Sequence, residues 1–96
     1  PQATDPEVLS LLKEESSKLV LAEFIKQLQT MENLNEENLG SVVKNVQTAT
    51  NIKGKNLWMP LRYAITLEAQ GPDLKLIVDL FGREKCMRLA QSAYEL

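Results

Sequence analysis

A chain of 96 residues with a formal net charge of −2, one Cys and no His has the size of one domain, or of one subdomain in a larger protein. The lone thiol excludes an internal disulfide, and the missing imidazoles exclude a His general base and a structural zinc set. The longest wholly apolar run, Leu19 to Ala22, falls far short of the ~20 residues of a membrane span.

The periodicity is helical nearly throughout and predicts an all-α fold, a compact cage or bundle of five or six short helices. Asp5-Pro6-Glu7 starts the first helix: Asp5 caps free N–H groups and Pro6 fits the first turn. Ser16-Ser17 reads as a break and recap. A second helix over roughly 17–31 would then turn Leu19, Val20, Ala22, Phe24, Ile25 and Leu28 inward. Asn35-Glu36-Glu37 starts a third, with acids at the positive dipole end and Leu39, Val42, Val43 and Val46 as its buried stripe. Thr50 to Leu57 reads as a polar connector broken at Gly54. Pro60 is placed in the first turn of a fourth helix carrying Leu61, Ala64 and Ile65. After a loop from Glu68 to Gly71, Pro72 starts a fifth helix with Leu74, Ile77, Val78 and Leu80, and Gly82 ends it as a left-handed cap. Arg83 to Leu96 forms the last helix, with Met87, Leu89, Ala90 and Ala93 inward.

The pattern offers little to catalysis. No glycine spacing matches a phosphate loop. Glu14-Glu15 and Glu36-Glu37 are adjacent in sequence, and neighbours one residue apart do not converge on a helix. Charge is unevenly distributed, however. Residues 1–43 hold three Lys against eight acids, while residues 44–96 hold eight Lys and Arg against five acids. A basic half can attract phosphates even in an acidic chain.

Within that half, Arg62 stands out. Pro60 would place it near a helix N-terminus, and a planar guanidinium can make bidentate hydrogen bonds to an unstacked base. Pro72 and Leu74 of Gly71-Pro72-Asp73-Leu74 would present an apolar floor for a splayed base. Asp73 is left with two roles, accepting from a base amino group or capping the helix. Lys44, Lys53 and Lys55 are candidates for phosphate contact, adding affinity and salt dependence without reading sequence.

The run from Asn51 through Lys53-Gly54-Lys55 to Pro60-Leu61-Arg62-Tyr63-Ala64-Ile65-Thr66, then Gly71-Pro72-Asp73-Leu74, Phe81-Gly82 and Arg88-Leu89, resembles the C-terminal anticodon-binding region of bacterial-type glutamyl-tRNA synthetases. The specific resemblance spans about residues 51–93; residues 1–43 fit by helical pattern and position. It implies that Arg62 reads an anticodon base, that Pro72 and Leu74 lie against anticodon nucleotides, and that Lys44 approaches the same loop. It further implies that the whole chain, 1–96, is an appendage of an enzyme whose catalytic domain lies elsewhere, a view that the start at Pro1 suits. That enzyme would use ATP and Mg²⁺ to attach glutamate to tRNA(Glu), with tRNA(Gln) open as a second substrate. No cofactor is expected in this segment, and a monomer in a bacterial cytoplasm is expected, with mitochondrion and plastid left open. Where the family has a core aromatic, Trp58 is expected to be buried. The family's glycine after Ala-Leu-Thr is Leu67 here, which predicts a longer fourth helix. Two rivals stand beside this reading: a helical protein-interaction module that has lost RNA binding, and the related helical cage of class I lysyl-tRNA synthetases.

Overall fold

A computed structural model describes residues 5–68 and 70–96, and the described residues form helices and loops with no strand. The helices are α1 (Pro6–Leu12), α2 (Glu15–Gln29), α3 (Glu36–Thr50), α4 (Lys55–Thr66) and α5 (Leu74–Tyr94). The expected Pro1 start lies outside the described residues.

Asp5 caps α1 as its sequence predicts, Oδ1 accepting from the Glu7 amide at 2.9 Å. The next break is not at Ser16-Ser17. It falls at Lys13 and Glu14, and Glu14 is the extended residue before α2. The inward stripe of α2 is Ser17, Val20, Leu21, Phe24, Ile25 and Leu28. Helical spacing puts Ser17 on that stripe, so the helix begins upstream of it. The hydroxyl of Ser17 is buried without a partner. Leu19 and Ala22, expected inward, are exposed because they fall off the stripe.

In α3 the sequence stripe holds: Leu39, Val42, Val43 and Val46 are all buried. Asn35 and Asn38 close a reciprocal cap, each side chain accepting from the other's amide at 3.0 and 2.9 Å. A second cap comes from far along the chain, where Asp79 Oδ1 accepts from the Glu36 amide at 3.0 Å. Asp79→Ala is expected to cost about 1 kcal/mol, lowering the melting temperature by roughly 4–8 °C for a domain of this size. Asp79→Asn keeps an acceptor and should lose much less; equal melting of the two variants would rule out the cap.

Helix α4 departs most from expectation. It starts at Lys55, directly after Gly54 turns the chain at φ 66°, so Pro60 lies inside the helix rather than in its first turn. Pro60 removes the amide that would bond the Asn56 carbonyl. Asn56 is exposed, so water can take that acceptor, while the Pro60 ring is buried. Leu57, Leu61 and Ala64 form the inner stripe. Trp58, one residue off it, is 38% exposed and not the core aromatic expected.

The helix does not lengthen at Leu67 either. Leu67 adopts φ 63°, ψ 19°, and its amide bonds the Tyr63 carbonyl at 2.9 Å. A leucine thus performs the left-handed turn that glycine performs without steric cost, a strain of roughly 1–2 kcal/mol. Glycine would add about 0.5–1 kcal/mol of chain entropy on folding, and Leu67 is not among the residues packed on the core. Leu67→Gly should therefore stabilise the fold by at most about 1.5 kcal/mol, less what the half-buried leucine side chain contributes. A lower melting temperature in that variant would show that Leu67 makes contacts outweighing its strain.

Asp73, not Pro72, caps α5. The helix is interrupted at Gly82 (φ 82°, ψ 174°) and resumes to Tyr94, so the break is where expected but is not a left-handed cap. Its inner positions are Leu74, Val78, Cys86, Ala90 and Ala93. Leu80 is 81% exposed because it lies about 200° around the helix from Val78, the reason its expected burial fails. Met87 and Leu89 are half-buried at the edge of that stripe.

Helix α2 touches the other four and forms the spine of the core. Two long cationic side chains tie α5 to it. Arg83 Nε donates to the Leu28 carbonyl at 2.7 Å, at the end of α2, where the same carbonyl accepts from the Met31 amide at 3.2 Å. Lys18 Nζ donates to the carbonyls of Tyr94 and Leu96 and lies 5.5 Å from the Tyr94 ring centre. Burial pushes the Cys86 thiol up to about 11, with Lys85 opposing, so it stays protonated and unreactive near neutral pH.

Candidate nucleic-acid interface

Because α4 begins at Lys55, Arg62 is its eighth residue and lies two turns from the N-terminus. The helix-end amides do not reach that far, so the dipole argument for Arg62 fails. What positions the side chain is the opposite end of the helix and the loop beyond it. Arg62 Nη2 donates to the Pro72 carbonyl at 2.7 Å, bridging α4 to the segment that enters α5.

The loop is folded back by three local devices. Thr66 Oγ1 lies 2.8 Å from the Arg62 carbonyl, 3.0 Å from the Glu68 carbonyl and 3.1 Å from the Glu68 amide. Its single O–H is shared between the two carbonyls and its oxygen accepts from the amide, clamping Glu68 to the helix end. Leu67 supplies the left-handed turn between them. Gly71, at φ 145°, supplies a backbone conformation that side chains disfavour. A Cβ on Gly71 would sit 3.5 Å from Glu68 Oε1 and 3.7 Å from Arg62 Nη2. Carboxylate and guanidinium therefore flank one notch, kept open by the missing side chain.

The residues singled out in the sequence are partly assembled here. Arg62 and Pro72 are joined directly, and Pro72 is exposed. Of the two roles open to Asp73, the cap is observed: Oδ1 accepts from the Lys75 amide at 2.9 Å, and the residue stays exposed. Leu74 is only 6% exposed. An exposed floor of Pro72 and Leu74 is thus corrected to Pro72 alone. Since α5 begins at Leu74, that side chain takes the first inner position, one turn before Val78. Lys44 is exposed on α3, and Lys53 and Lys55 are exposed on either side of Gly54. Lys55 lies about 10 Å along the helix axis from Arg62, at the rise of an α-helix. Among the described residues, none of the three lysines joins the hydrogen bonds around Arg62. Thr66 and Glu68 went unnoticed in the sequence; a Thr two residues before a loop acid is only a weak turn signal.

A helical chain with an Arg-bearing helix end clamped to a Gly-Pro loop matches the family described as "Anticodon binding domain" over residues 1–92. The chain belongs to that family. The match reaches from the first residue, so this anticodon binding domain includes the acidic first half as well as the motif-bearing second. It is similar to the glutamate–tRNA ligase of Listeria monocytogenes serotype 4b, 39% identical over 83 residues, covering 86% of this chain and 17% of the ligase. It is also similar to that of Limosilactobacillus fermentum, 33% identical over 87 residues, covering 91% of this chain and 18% of the ligase. A third relative is the glutamate–tRNA ligase of Bacillus velezensis, 37% identical over 86 residues, covering 90% and 18%. The anticodon binding domain therefore spans less than a fifth of the length of these relatives. No solved structure matches it.

Proposed function

We propose that this domain holds the anticodon of a tRNA as the recognition end of a glutamate–tRNA ligase. Arg62 reads a splayed base while the Pro72 ring rests against it. The observation carrying this reading is the 2.7 Å bond from Arg62 Nη2 to the Pro72 carbonyl. A guanidinium carries five N–H donors in a rigid plane. Tethering the guanidinium fixes its plane next to the exposed Pro72 before RNA arrives, which reduces the ordering cost of binding. Asp73, at the edge of the same segment, is placed to accept from a base amino group with the oxygen not engaged in capping. Lys44, Lys53 and Lys55 hold backbone phosphates, adding affinity and salt dependence. Leu74 acts from beneath, fixing where Pro72 stands.

Attachment of glutamate to tRNA(Glu), with ATP and Mg²⁺, then belongs to a catalytic domain elsewhere in a longer bacterial ligase, monomeric and cytoplasmic. Specificity comes from the correct base satisfying Arg62; a wrong base leaves it desolvated and unpaired. An amide-shift NMR titration with a glutamate-tRNA anticodon stem-loop at low salt tests the reading, with a base-scrambled loop as control. Selective shifts around Arg62 and Gly71 to Leu74 are expected. Equal shifts from both loops would reduce the site to nonspecific electrostatics. A second reading, a protein-docking module, draws on Leu76 and Leu80, one turn apart on α5 and 55% and 81% exposed; it predicts no shifts with either loop.

A further inference from the structure

Arg62 is a hazard as well as an asset in an RNA-binding site. A guanidinium pairs with phosphate more readily than with a base edge, because charge-assisted bonds to an anion are the stronger ones. Every nucleotide carries a phosphate, so an unguarded Arg binds RNA without reading it. The notch around Arg62 contains a second charged group. Glu68 Oε1 and Arg62 Nη2 lie 3.5 and 3.7 Å from one point, the position of a Cβ on Gly71. The backbone of Glu68 is held on both sides by the Thr66 hydroxyl, so the carboxylate is delivered to this notch by a fixed turn.

Resting on the anticodon-recognition reading, we infer that Glu68 is a specificity-determining residue: its carboxylate bars phosphate from Arg62 and admits a base edge. The two ligands differ in the sign of what they present. A phosphate brings only anionic acceptors, and placing it on Arg62 brings like charges together in the notch. A base edge brings ring acceptors for the guanidinium alongside N–H groups, which a carboxylate accepts. Glu68 thus repels the first and is hydrogen-bonded by the second. Gly71 is part of the device, since any side chain there would fill the space between the two charges at a backbone angle already unfavourable to it. The exposure of Glu68 limits the effect to what a solvated charge delivers, a bias between ligands rather than an absolute bar.

The test is Glu68→Gln in the 96-residue chain, titrated by NMR with the glutamate-tRNA anticodon stem-loop and its base-scrambled counterpart at several salt concentrations. Glutamine preserves size and an acceptor while removing the charge. Binding of the scrambled loop is expected to tighten about threefold, the scale of one surface charge contact. Binding of the matched loop should change less, so the ratio between loops falls. The salt slope for the scrambled loop should steepen by about 0.7, the increment for one added phosphate contact on a single strand. Tightening of both loops by the same factor, with no loss of discrimination, would overturn the inference and leave the anticodon reading standing. A wild-type chain that does not distinguish the loops would overturn both. Since the Glu68 side chain is exposed, the variant is expected to melt with the wild type, and a thermal scan checks this.

Discussion

Phe24→Ala is expected to destabilise the domain by about 3–5 kcal/mol, the range for truncating a buried aromatic. Phe24 is fully buried and is the largest of the fully buried side chains. It lies in the middle of α2, the helix that touches the other four. The cavity left behind would thus open at the centre of the core, where no single neighbour can collapse into it. Domains of this size hold only about 5–15 kcal/mol in total, and a short chain buries a smaller share of its surface than a long one. A fifth or more of the stability would rest on one ring. Urea denaturation with unchanged slope and a lowered midpoint is the expected readout. Phe24→Leu, which keeps most of the volume, should lose much less. A loss below about 1 kcal/mol for Phe24→Ala would mean that the core repacks around α2 in a way this arrangement does not allow.

The second large effect concerns recognition. Arg62→Ala is expected to weaken binding of the matched anticodon loop by about 1–3 kcal/mol, the cost of losing a base-reading Arg. Two losses contribute. The direct contacts to the base disappear, and the Pro72 carbonyl loses the donor that holds it 2.7 Å away, so the loop has to be ordered on binding. Arg62→Lys separates these from simple charge, since a lysine ammonium has neither the planar fork nor the bidentate geometry. It should recover little of the discrimination while restoring most of the salt dependence. Unchanged affinity in Arg62→Ala, with the fold intact by thermal scan, would sink the anticodon assignment for this surface.

The parts of the fold legible in the sequence are those governed by local rules. Asp5-Pro6 reports a helix start because capping and the fixed proline φ act within a few residues. The Leu39-Val42-Val43-Val46 stripe reports the buried face of α3 because a 3.6-residue repeat needs no knowledge of the partner. Gly82 marks a real interruption in α5. Failures cluster where burial or another side chain outweighs a local backbone preference. Pro60 suggested a helix start, yet α4 begins five residues earlier, because its inner stripe requires Leu57. Leu67 suggested a continuing helix, yet it turns left-handed, with the Thr66 hydroxyl clamping Glu68 just beyond it. The second N-terminal cap of α3 comes from Asp79, beyond the reach of any local pattern.

The candidate site divides along the same line. The residue types and their order, Pro60-Leu61-Arg62 and Gly71-Pro72-Asp73-Leu74, were enough to mark out an anticodon-binding family, because a motif is a property of the chain itself. The tertiary structure alone decided that Leu74 is core rather than surface, that Arg62 is held by the Pro72 carbonyl rather than by a helix dipole, and that Glu68 faces the same notch. Which side chains meet across a loop depends on where two helices end and how the turn between them closes. Sequence spacing sets neither of these once burial of the inner stripe has chosen the helix boundaries.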